Sequence, residues 1–408
     1  MTATLALSAA IIKELYPDGE VPDLTFQNNP ALQWVPKRTD FVGNPARVPL
    51  ITEHTHGASA DFTQAQANLK QSKYTAFSVT RVKDYSLARI ESDALLAADG
   101  DEGSLVELWE TEMKMAARSA VRSIAIQMYR TGTGSRCQLS NVSSTTATLA
   151  TSSETTNFGI GMSVQASQTD GSALRDSGAK EVIAGVDYIN GTLTSTSAAW
   201  STVITAIGTT DFLYRAGDAC NNSTHVVIEG FQSWLYDGTA PALFSVTRTT
   251  DPLRLAGQVY NASGVSPEEA VIEAIARNGQ FGGAATKLFC HNRDKANTVK
   301  SLEAKSRFMR PHQKGSAQVG YESIEFSGDY GSVELIADMN CPRNKAFLLQ
   351  EDMWFLGSIR KAPHIQDYDT NTFLRVSTSD AQEARFASYL QLVCKAPGNN
   401  VHIKNFGT

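Results

Sequence analysis

The sequence predicts an α+β fold into which a small all-β module is inserted, and three observations carry this prediction. Residues 104–130 show the apolar period of an amphipathic helix. Residues 137–218 are rich in Ser, Thr, Gly and Ala and contain short strand-like runs. After them, helical and strand patterns are mixed. The 408 residues allow two or three packed units, because a single core seldom grows past roughly 250 to 300 residues.

Composition narrows the class of protein further. Hydrophobic residues make up 42% and charged residues 19% of the chain, which is typical of an ordinary folded protein. The net charge of -6 disfavours a protein that grips nucleic acid, because such binding is driven by Lys and Arg. Five scattered cysteines without a C-x-x-C pair indicate reduced thiols. We expect neither a signal peptide nor a membrane helix, since no suitable apolar run is present.

The N-terminal residues 1–45 are predicted to form an arm rather than a domain. Prolines interrupt any longer element, at Pro17, Pro22, Pro30, Pro36 and Pro45. The apolar residues Phe26 and Trp34, with Pro30 between them, have no local core. We therefore expect Phe26, Pro30 and Trp34 to contact either the rest of the subunit or a neighbour.

A projecting hairpin is predicted next. Residues 47–51 and 74–82 favour strands, and residues 57–68 between them are small and polar. An isolated hairpin is marginal in water, so we expect support from a neighbouring molecule. The candidate contact residues of the tip are Phe62, Thr63, Gln64, Gln66 and Asn68.

The long helix is the strongest local signal. Ser104 and Glu107 form an S-x-x-E capping box, and Gly132 follows the predicted end near Arg130. At 1.5 Å per residue the helix would span roughly 40 Å, which suits a structural spine. Its predicted core positions are Leu105, Trp109, Met113, Ile124 and Met128, with Ala116 and Ala120 on the same stripe.

Within residues 137–218 we predict strands at 146–150, 161–166, 181–189 and 212–215. Asn190 and Gly191 predict a tight hairpin turn, since both residues tolerate positive φ. Ser266 and Pro267 then predict a helix start, and Gly279 its end. The remaining predicted elements are strands at 287–290, 323–326, 333–337, 346–349 and 386–394, and a helix at 293–305.

The sequence offers little chemistry. No phosphate-binding loop, G-x-S-x-G elbow or H-E-x-x-H helix occurs. His54 and His56 could share one strand face, but no third metal ligand is evident, so a solvated strand end is the preferred interpretation. Arg307, Arg310 and Lys314 form a basic cluster in a predicted loop, which suits a solvated loop or an interface ion pair better than a phosphate contact. We predict no catalytic residue, no metal and no cofactor.

Six segments of the sequence stand out together: 24–30 and 35–43 in the arm, 62–68 at the hairpin tip, 80–86 after it, and 230–235 and 251–257 after the all-β module. In this order they resemble the major capsid proteins of tailed bacteriophages with the Hong Kong 97-type fold. In that family they would be the N-terminal arm, the tip of the extended loop, its return strand and the re-entry after an inserted module. The resemblance covers nearly the whole chain.

By this resemblance the chain would divide into seven parts. These are the N-terminal arm (1–45), the extended hairpin loop (46–82), the peripheral domain with its spine helix (83–136), the inserted all-β domain (137–218), the continued peripheral domain (219–260), the axial domain (261–361) and the C-terminal part of the peripheral domain (362–408).

The resemblance also implies a function and partners. The chain would assemble with itself into hexamers and pentamers of an icosahedral shell, and would enclose double-stranded DNA without sequence-specific binding. Portal and scaffolding proteins, and possibly decoration proteins, would be its other partners, and no membrane would be involved. The shell would be assembled in the host cytoplasm and would be part of the virion.

Two departures and two rival interpretations accompany the resemblance. About 45 residues precede the hairpin, so we expect scaffolding from a separate protein. A cross-link from Lys70 or Lys73 to Asn399 or Asn400 is not expected, because no nearby base can be located.

The first alternative function is a cell-surface adhesin or carbohydrate-binding protein, which only the Ser/Thr-rich module favours. A cytosolic enzyme is the other, without a residue to test.

Overall fold

The computed structural model describes residues 29–93, 102–196, 198–220, 225–238, 241–305, 324–328, 331–366 and 373–407. At 102–110 and 303–305 only the backbone is described. The predicted contacts of Phe26 and of the basic cluster Arg307, Arg310 and Lys314 therefore lie outside the described residues. Leu105 and Trp109 belong to a helix whose backbone is described, but their side chains are not among the described parts of the structure.

The elements of the first half, in chain order, are α1 (Pro30–Trp34), β1 (Lys37–Arg38), β2 (Ala46–Glu53), α2 (Phe62–Ala67), β3 (Lys73–Val79), β4 (Val82–Glu91), α3 (Glu102–Gln127), β5 (Ser135–Ser143), β6 (Thr146–Leu149), β7 (Ser163–Ser167), β8 (Glu181–Asp187), β9 (Thr192–Ser195), α4 (Trp200–Val203) and β10 (Phe212–Arg215). The second half contains α5 (Phe231–Trp234), α6 (Pro252–Ala256), β11 (Gln258–Asn261), α7 (Pro267–Gln280), β12 (Lys287–Cys290), α8 (Asn292–Lys305), β13 (Glu325–Gly328), β14 (Gly331–Ala337), β15 (Lys345–Leu349), β16 (Trp354–Ser358), β17 (His364–Ile365), β18 (Leu374–Arg375), β19 (Ala381–Cys394) and β20 (Val401–Lys404).

The first sheet is built around the long strand β19. It pairs with β16, β17, β18 and β4, and β1 adds to β16. The pairing with β4 is the longest and runs from Val82 opposite Leu390 to Glu91 opposite Ala381. The spine helix α3 packs on this sheet because its small side chain Ala116 meets the buried Ala88, Ala384 and Phe386.

The second sheet has the strand order β11-β20-β15-β12-β14-β13 and carries α7 and α8. The predicted start of α7 is confirmed: Ser266 is the N-cap, Pro267 is the first helical residue, and Glu268 and Glu269 lie in the first turn. Acidic side chains there are favoured by the helix dipole. The strand at 287–290 is also confirmed, and α8 begins one residue earlier than predicted.

Strands β5 to β10 form a closed barrel in the order β10-β5-β6-β9-β8-β7. The predicted hairpin is confirmed, since β8 and β9 pair antiparallel and Gly191 has φ 71°. Its connection is longer than the predicted tight turn, because Asp187 pairs with Thr192 and four residues lie between them. Ala147, Leu193 and Trp200 fill the interior without any exposed surface. The barrel thus has a core of its own, separate from the two sheets.

Two further sequence-based boundaries differ from the structure, and one helix was missed. Helix α3 begins at Glu102, so Ser104 lies inside it and cannot be its N-cap. An acid in the first turn suits the positive helix end. The predicted strand 74–82 is broken after Val79, where the side chain of Arg81 turns to the Phe41 and Val42 carbonyls. The six-residue helix α2 at the hairpin tip was not predicted.

Two strands pair outside the sheet that the rest of their predicted segment, axial (261–361) or peripheral (362–408), contributes to. Strand β16, at 354–358, pairs with the C-terminal half of β19 in the first sheet. The last strand, β20 at 401–404, lies between β11 and β15 in the second sheet. The chain therefore passes from the second sheet to the first before β16 and returns to the second sheet at β20.

Aromatic side chains fill the core between the sheets. Trp234 and Trp354 are almost fully buried, and the Phe231 ring meets the Trp354 ring edge-on at 4.9 Å. Both tryptophans therefore pack in the core. Within the part of the chain that the structure describes, no helix is both long and apolar enough to cross a membrane.

Candidate functional site

The root of the hairpin β2–β3 is fixed in the main core. Phe77 and Val79 are completely buried, and the Phe77 ring meets the Trp234 ring edge-on at 5.0 Å. The backbone N–H of Ser78 donates to the carbonyl of Phe244 at 2.9 Å. The root therefore cannot swing without opening the core.

The turn that holds this root is itself strained. Phe244 and Ser245 have φ values of 48° and 69°, a region that side chains other than glycine rarely adopt. The flanking Leu243 and Val246 close the turn by reciprocal backbone hydrogen bonds, and the Phe244 ring packs on Trp234 at 5.5 Å. Such strain persists only where the surrounding structure enforces it. Here it positions the Phe244 carbonyl under the hairpin.

The tip of the hairpin is built locally. Asp61 caps α2: its carboxylate accepts from the Thr63 N–H at 2.9 Å, and its carbonyl accepts from the Ala65 N–H at the same distance. Two backbone hydrogen bonds join His56 and Lys70 below the helix. The tip is thus ordered by its own hydrogen bonds.

Apolar side chains of the hairpin point into solvent. Phe62 is 74% exposed, Tyr74 70%, Leu69 67% and Ile51 56%. The predicted tip residues Thr63, Gln64, Gln66 and Asn68 are exposed as well. Sequence reasoning singled out Phe62 but missed the other three, because alternation alone does not show which strand face is outward.

This exposure has an energetic consequence. Burying one large apolar side chain stabilises a fold or an interface by about 1.5–3 kcal/mol. Burial of these four side chains against a partner would therefore stabilise the contact considerably. A two-stranded ribbon gains nothing by exposing them, and several large apolar side chains exposed on one hairpin mark an interaction site. The hairpin tip is therefore the candidate contact surface.

The arm lies on its own subunit where the structure describes it. Ala31 and Leu32 of α1 are buried, and the Trp34 ring lies 5.2 Å from the Phe289 ring. The Ala31 N–H donates to the Asp338 carboxylate at 3.3 Å. We expected Pro30 and Trp34 to contact either the rest of the subunit or a neighbour. The structure places this segment against the rest of the same chain.

Asp338 anchors the arm in a polar cluster. Besides the arm N–H, its carboxylate accepts from the Tyr129 hydroxyl at 3.0 Å and from the Asn340 N–H at 2.9 Å. Burial raises the pKa of Asp338, and the three hydrogen bonds oppose that rise. The cluster joins segments that are more than two hundred residues apart, so no local pattern could reveal it.

The spine helix buries the C-terminal half of its predicted stripe. Ile124 and Met128 are almost fully buried in the main core, and Met113 packs beside Ala384 and Phe386 of β19. The predicted core positions Leu105 and Trp109 lie outside the described side chains.

A buried ionic cluster joins the barrel to the first sheet. Arg215, at the end of β10, pairs with Asp84 of β4 at 2.8 Å and with Asp218 at 2.7 Å. Arg136 of β5 lies 3.5 Å from Asp218. Burial, and then the neighbouring Arg215, lower the pKa of Arg136 to about 10. Asp84 and Arg215 are 131 residues apart, and no sequence signal pointed to them.

Glu229 is buried in a second polar cluster. It accepts from the His225 ring, from the Ser233 hydroxyl and, at 3.2 Å, from the Gly132 N–H. The hydrogen bond to Glu229 raises the pKa of His225 above its ordinary value. The protonated imidazole therefore stabilises the folded state.

This raised pKa predicts a pH dependence of stability. Stabilisation by protonated His225 is fully present below the unfolded-state pKa of about 6.5 and is lost as pH rises through the raised folded-state pKa. We expect the melting temperature to fall across that window in the wild type and to fall less in His225→Gln. Calorimetry at pH 6 and pH 8.5 measures both, and equal slopes would contradict the prediction.

Glu53, beside the histidine pair, and Asn400, a cross-link candidate, each have another partner within the chain. Among the described residues, no group of three His, Cys, Asp or Glu side chains could hold a metal ion. Glu53 instead pairs with Lys73 at 2.9 Å, which lowers the pKa of Glu53. Asn400 is completely buried, and its side-chain oxygen accepts from the Trp354 indole N–H at 2.9 Å. It therefore belongs to the core.

Comparisons with known proteins place this fold. No protein-family model matches the sequence, and no curated protein matches it. The capsid asymmetric unit of cyanophage A-1(L) has the same fold with a TM-score of 0.58 at 11% identity, covering 98% of this chain and 99% of that chain. The capsid of a native GTA particle gives a TM-score of 0.51 at 7% identity, covering 99% of each chain. The chain therefore has the Hong Kong 97-like fold of phage capsid proteins.

Proposed function

We propose that this chain is the major capsid protein of a tailed, double-stranded DNA bacteriophage. The observation that carries the proposal is the likeness in fold to the cyanophage A-1(L) capsid, which extends over 98% of this chain. A fold alone does not define a function. The exposed apolar tip supplies the second support, because it needs a partner.

The assembly is a shell of hexamers and pentamers. A hairpin that leaves one subunit and lies on the next is a heterologous contact, and such contacts close into rings when the rotation allows it. Many repeats of a weak contact then produce a stable shell. Portal, scaffolding and decoration proteins complete the particle, which is assembled in the host cytoplasm.

The proposed role is structural and involves no turnover. The net charge of -6 suits a wall that encloses DNA without gripping it, since affinity for the phosphate backbone requires an excess of Lys and Arg. No cofactor enters the proposal.

The proposal is tested by the association state of the full chain. We expect the purified protein, alone or with its scaffold, to form capsomers or shells that sedimentation velocity and negative-stain microscopy detect. Assembly should depend on concentration, as it does for many weak contacts. A chain that stays monomeric under every condition, or that turns over a substrate, would overturn the proposal.

A further inference from the structure

The paired strands β4 and β19 have one face covered by α3 and one open face. On the covered face, the Ser86 hydroxyl donates to the Ala116 carbonyl of α3 at 2.9 Å, and Ala88 is buried beside Ala116. Side chains alternate along a strand, so the open face carries the other set of β4 residues: Lys83, Tyr85, Leu87 and Arg89. Tyr85 is 49% and Leu87 57% exposed, which shows that the subunit leaves this face uncovered.

Positive charge exceeds negative charge on the open face. Lys83 is exposed, and the Nε atom of Arg89 is buried without a hydrogen-bond partner among the described residues. Across the ladder on β19, Arg385 and Glu383 share this face, but they neutralise each other through a hydrogen bond of 2.6 Å. Glu91, at the end of β4, is the remaining acid of the two strands on this face. The middle of the face is therefore cationic.

The turn before β17 adds two more cations. His364 of β17 lies opposite Ala387 of β19, and Ala387 lies opposite Tyr85, so His364 belongs to the open face. Arg360 and Lys361 precede it and are exposed. Burial and then the nearby Arg360 lower the pKa of His364, which shows that this charge reaches the face. We call the surface the basic face, and its cations are Lys83, Arg89, Arg360 and Lys361.

Two tyrosine hydroxyls lie among these cations. The Tyr85 and Tyr389 rings meet edge-on at 6.1 Å, and their hydroxyl oxygens are 3.5 Å apart. The side-chain amide of Gln366 donates to the Tyr389 hydroxyl at 2.8 Å. Tyr389 can then donate to Tyr85, which leaves the Tyr85 O–H for an acceptor outside the subunit. Cations and a hydroxyl donor on an open sheet suit phosphate oxygens, which Lys, Arg and Tyr contact in protein–DNA complexes.

We infer that the basic face binds the phosphate backbone of double-stranded DNA and is the face that the shell turns toward the genome. This role rests on the proposed function and names the surface that meets the enclosed DNA. The net charge of -6 is compatible with it, because a local cluster of like charges creates its own field. Few contacts per subunit make the binding weak, salt-dependent and independent of sequence, so the DNA is not fixed in place.

Binding of a short DNA duplex to the full chain tests the inference. We expect fluorescence anisotropy of a labelled duplex to show binding at low salt, at a protein concentration below that needed for assembly. Lys83→Ala combined with Arg89→Ala should weaken binding at least about tenfold at low salt. The slope of log affinity against log salt should become shallower by about 2, since each lost cation removes about one phosphate contact.

The matched control removes the same two charges elsewhere. Arg293→Ala combined with Lys300→Ala changes one exposed arginine and one exposed lysine of α8, on the second sheet, and should leave binding nearly unchanged. Arg360→Ala combined with Lys361→Ala repeats the test in an exposed turn, without touching β4. Tyr85→Phe keeps the ring and should weaken binding a few-fold, as for one lost hydrogen bond.

The outcomes separate the basic face from the proposed function. Equal losses in the control pair would show that only net charge matters, and would overturn the inference. So would a Lys83, Arg89 double variant that binds DNA normally but no longer assembles, because the face would then be a contact between subunits. Shells from a wild type without affinity for DNA would overturn the basic face and leave the shell role standing. A chain that binds DNA through this face but never assembles would overturn the shell role alone.

Discussion

Replacing residues 57–68 by a short Gly-Ser linker should give a folded, soluble subunit that no longer assembles. The deleted segment contains no buried residue, whereas the root at Phe77 and Val79 stays in the core. Stability of the subunit should therefore change by less than about 1 kcal/mol, in line with surface changes. Sedimentation velocity measures assembly, and circular dichroism melting measures folding.

Point variants of the tip give the matched control. Phe62→Ala removes a large exposed ring and should weaken assembly strongly, whereas Thr63→Ala, one residue further on the same helix, should weaken it little. Normal shells from the linker variant would refute the hairpin's role. A linker variant that no longer folds would show that the segment belongs to the core.

Local chemistry made much of the fold predictable. Helix α7 follows from Ser266 and Pro267 at its start, and the β8–β9 hairpin follows from Asn190 and Gly191, because caps and tight turns depend on neighbouring residues alone. The composition change at residue 137 likewise marks the barrel, whose strands run from Ser135 to Arg215. Whether the barrel folds without the rest of the chain stays a prediction.

Strand partnership was less predictable. Strands β16 and β20 were not predicted, and their partners could not be read from the sequence, because they are chosen by packing over long sequence distances. The resemblance to phage capsid proteins supplied the overall architecture, while the residues themselves supplied individual elements.

The candidate site was predictable only in part, because the sequence reveals local features and not contacts between distant residues. Phe62 stands out in a small, polar stretch, so the tip could be found from the sequence. The polar cluster that anchors the arm could not, since Ala31 and Tyr129 reach Asp338 only in three dimensions. Hydrophobic periodicity describes one element at a time, so it cannot reveal clusters of this kind.

The buried ionic cluster predicts the largest loss of stability from a single side chain. Arg215→Ala would leave Asp84 and Asp218, which are only 10% and 11% exposed, without their shared cation. Breaking a buried pair from one side typically costs about 3–5 kcal/mol, because an uncompensated charge stays in the interior. Denaturant unfolding should be measured in the tip-deleted background, so that assembly does not add to stability.

An exposed ion pair and a double variant test the cause of this loss. Arg254→Ala breaks the pair with Asp251, in which the arginine is 56% exposed, and should cost less than about 1 kcal/mol. Arg215→Ala combined with Asp84→Ala should be less destabilising than the sum of the two single changes, since the second removes a charge that the first left unpaired. If Arg215→Ala costs no more than the exposed control, or if the two changes simply add, the cluster does not lock the barrel to the first sheet.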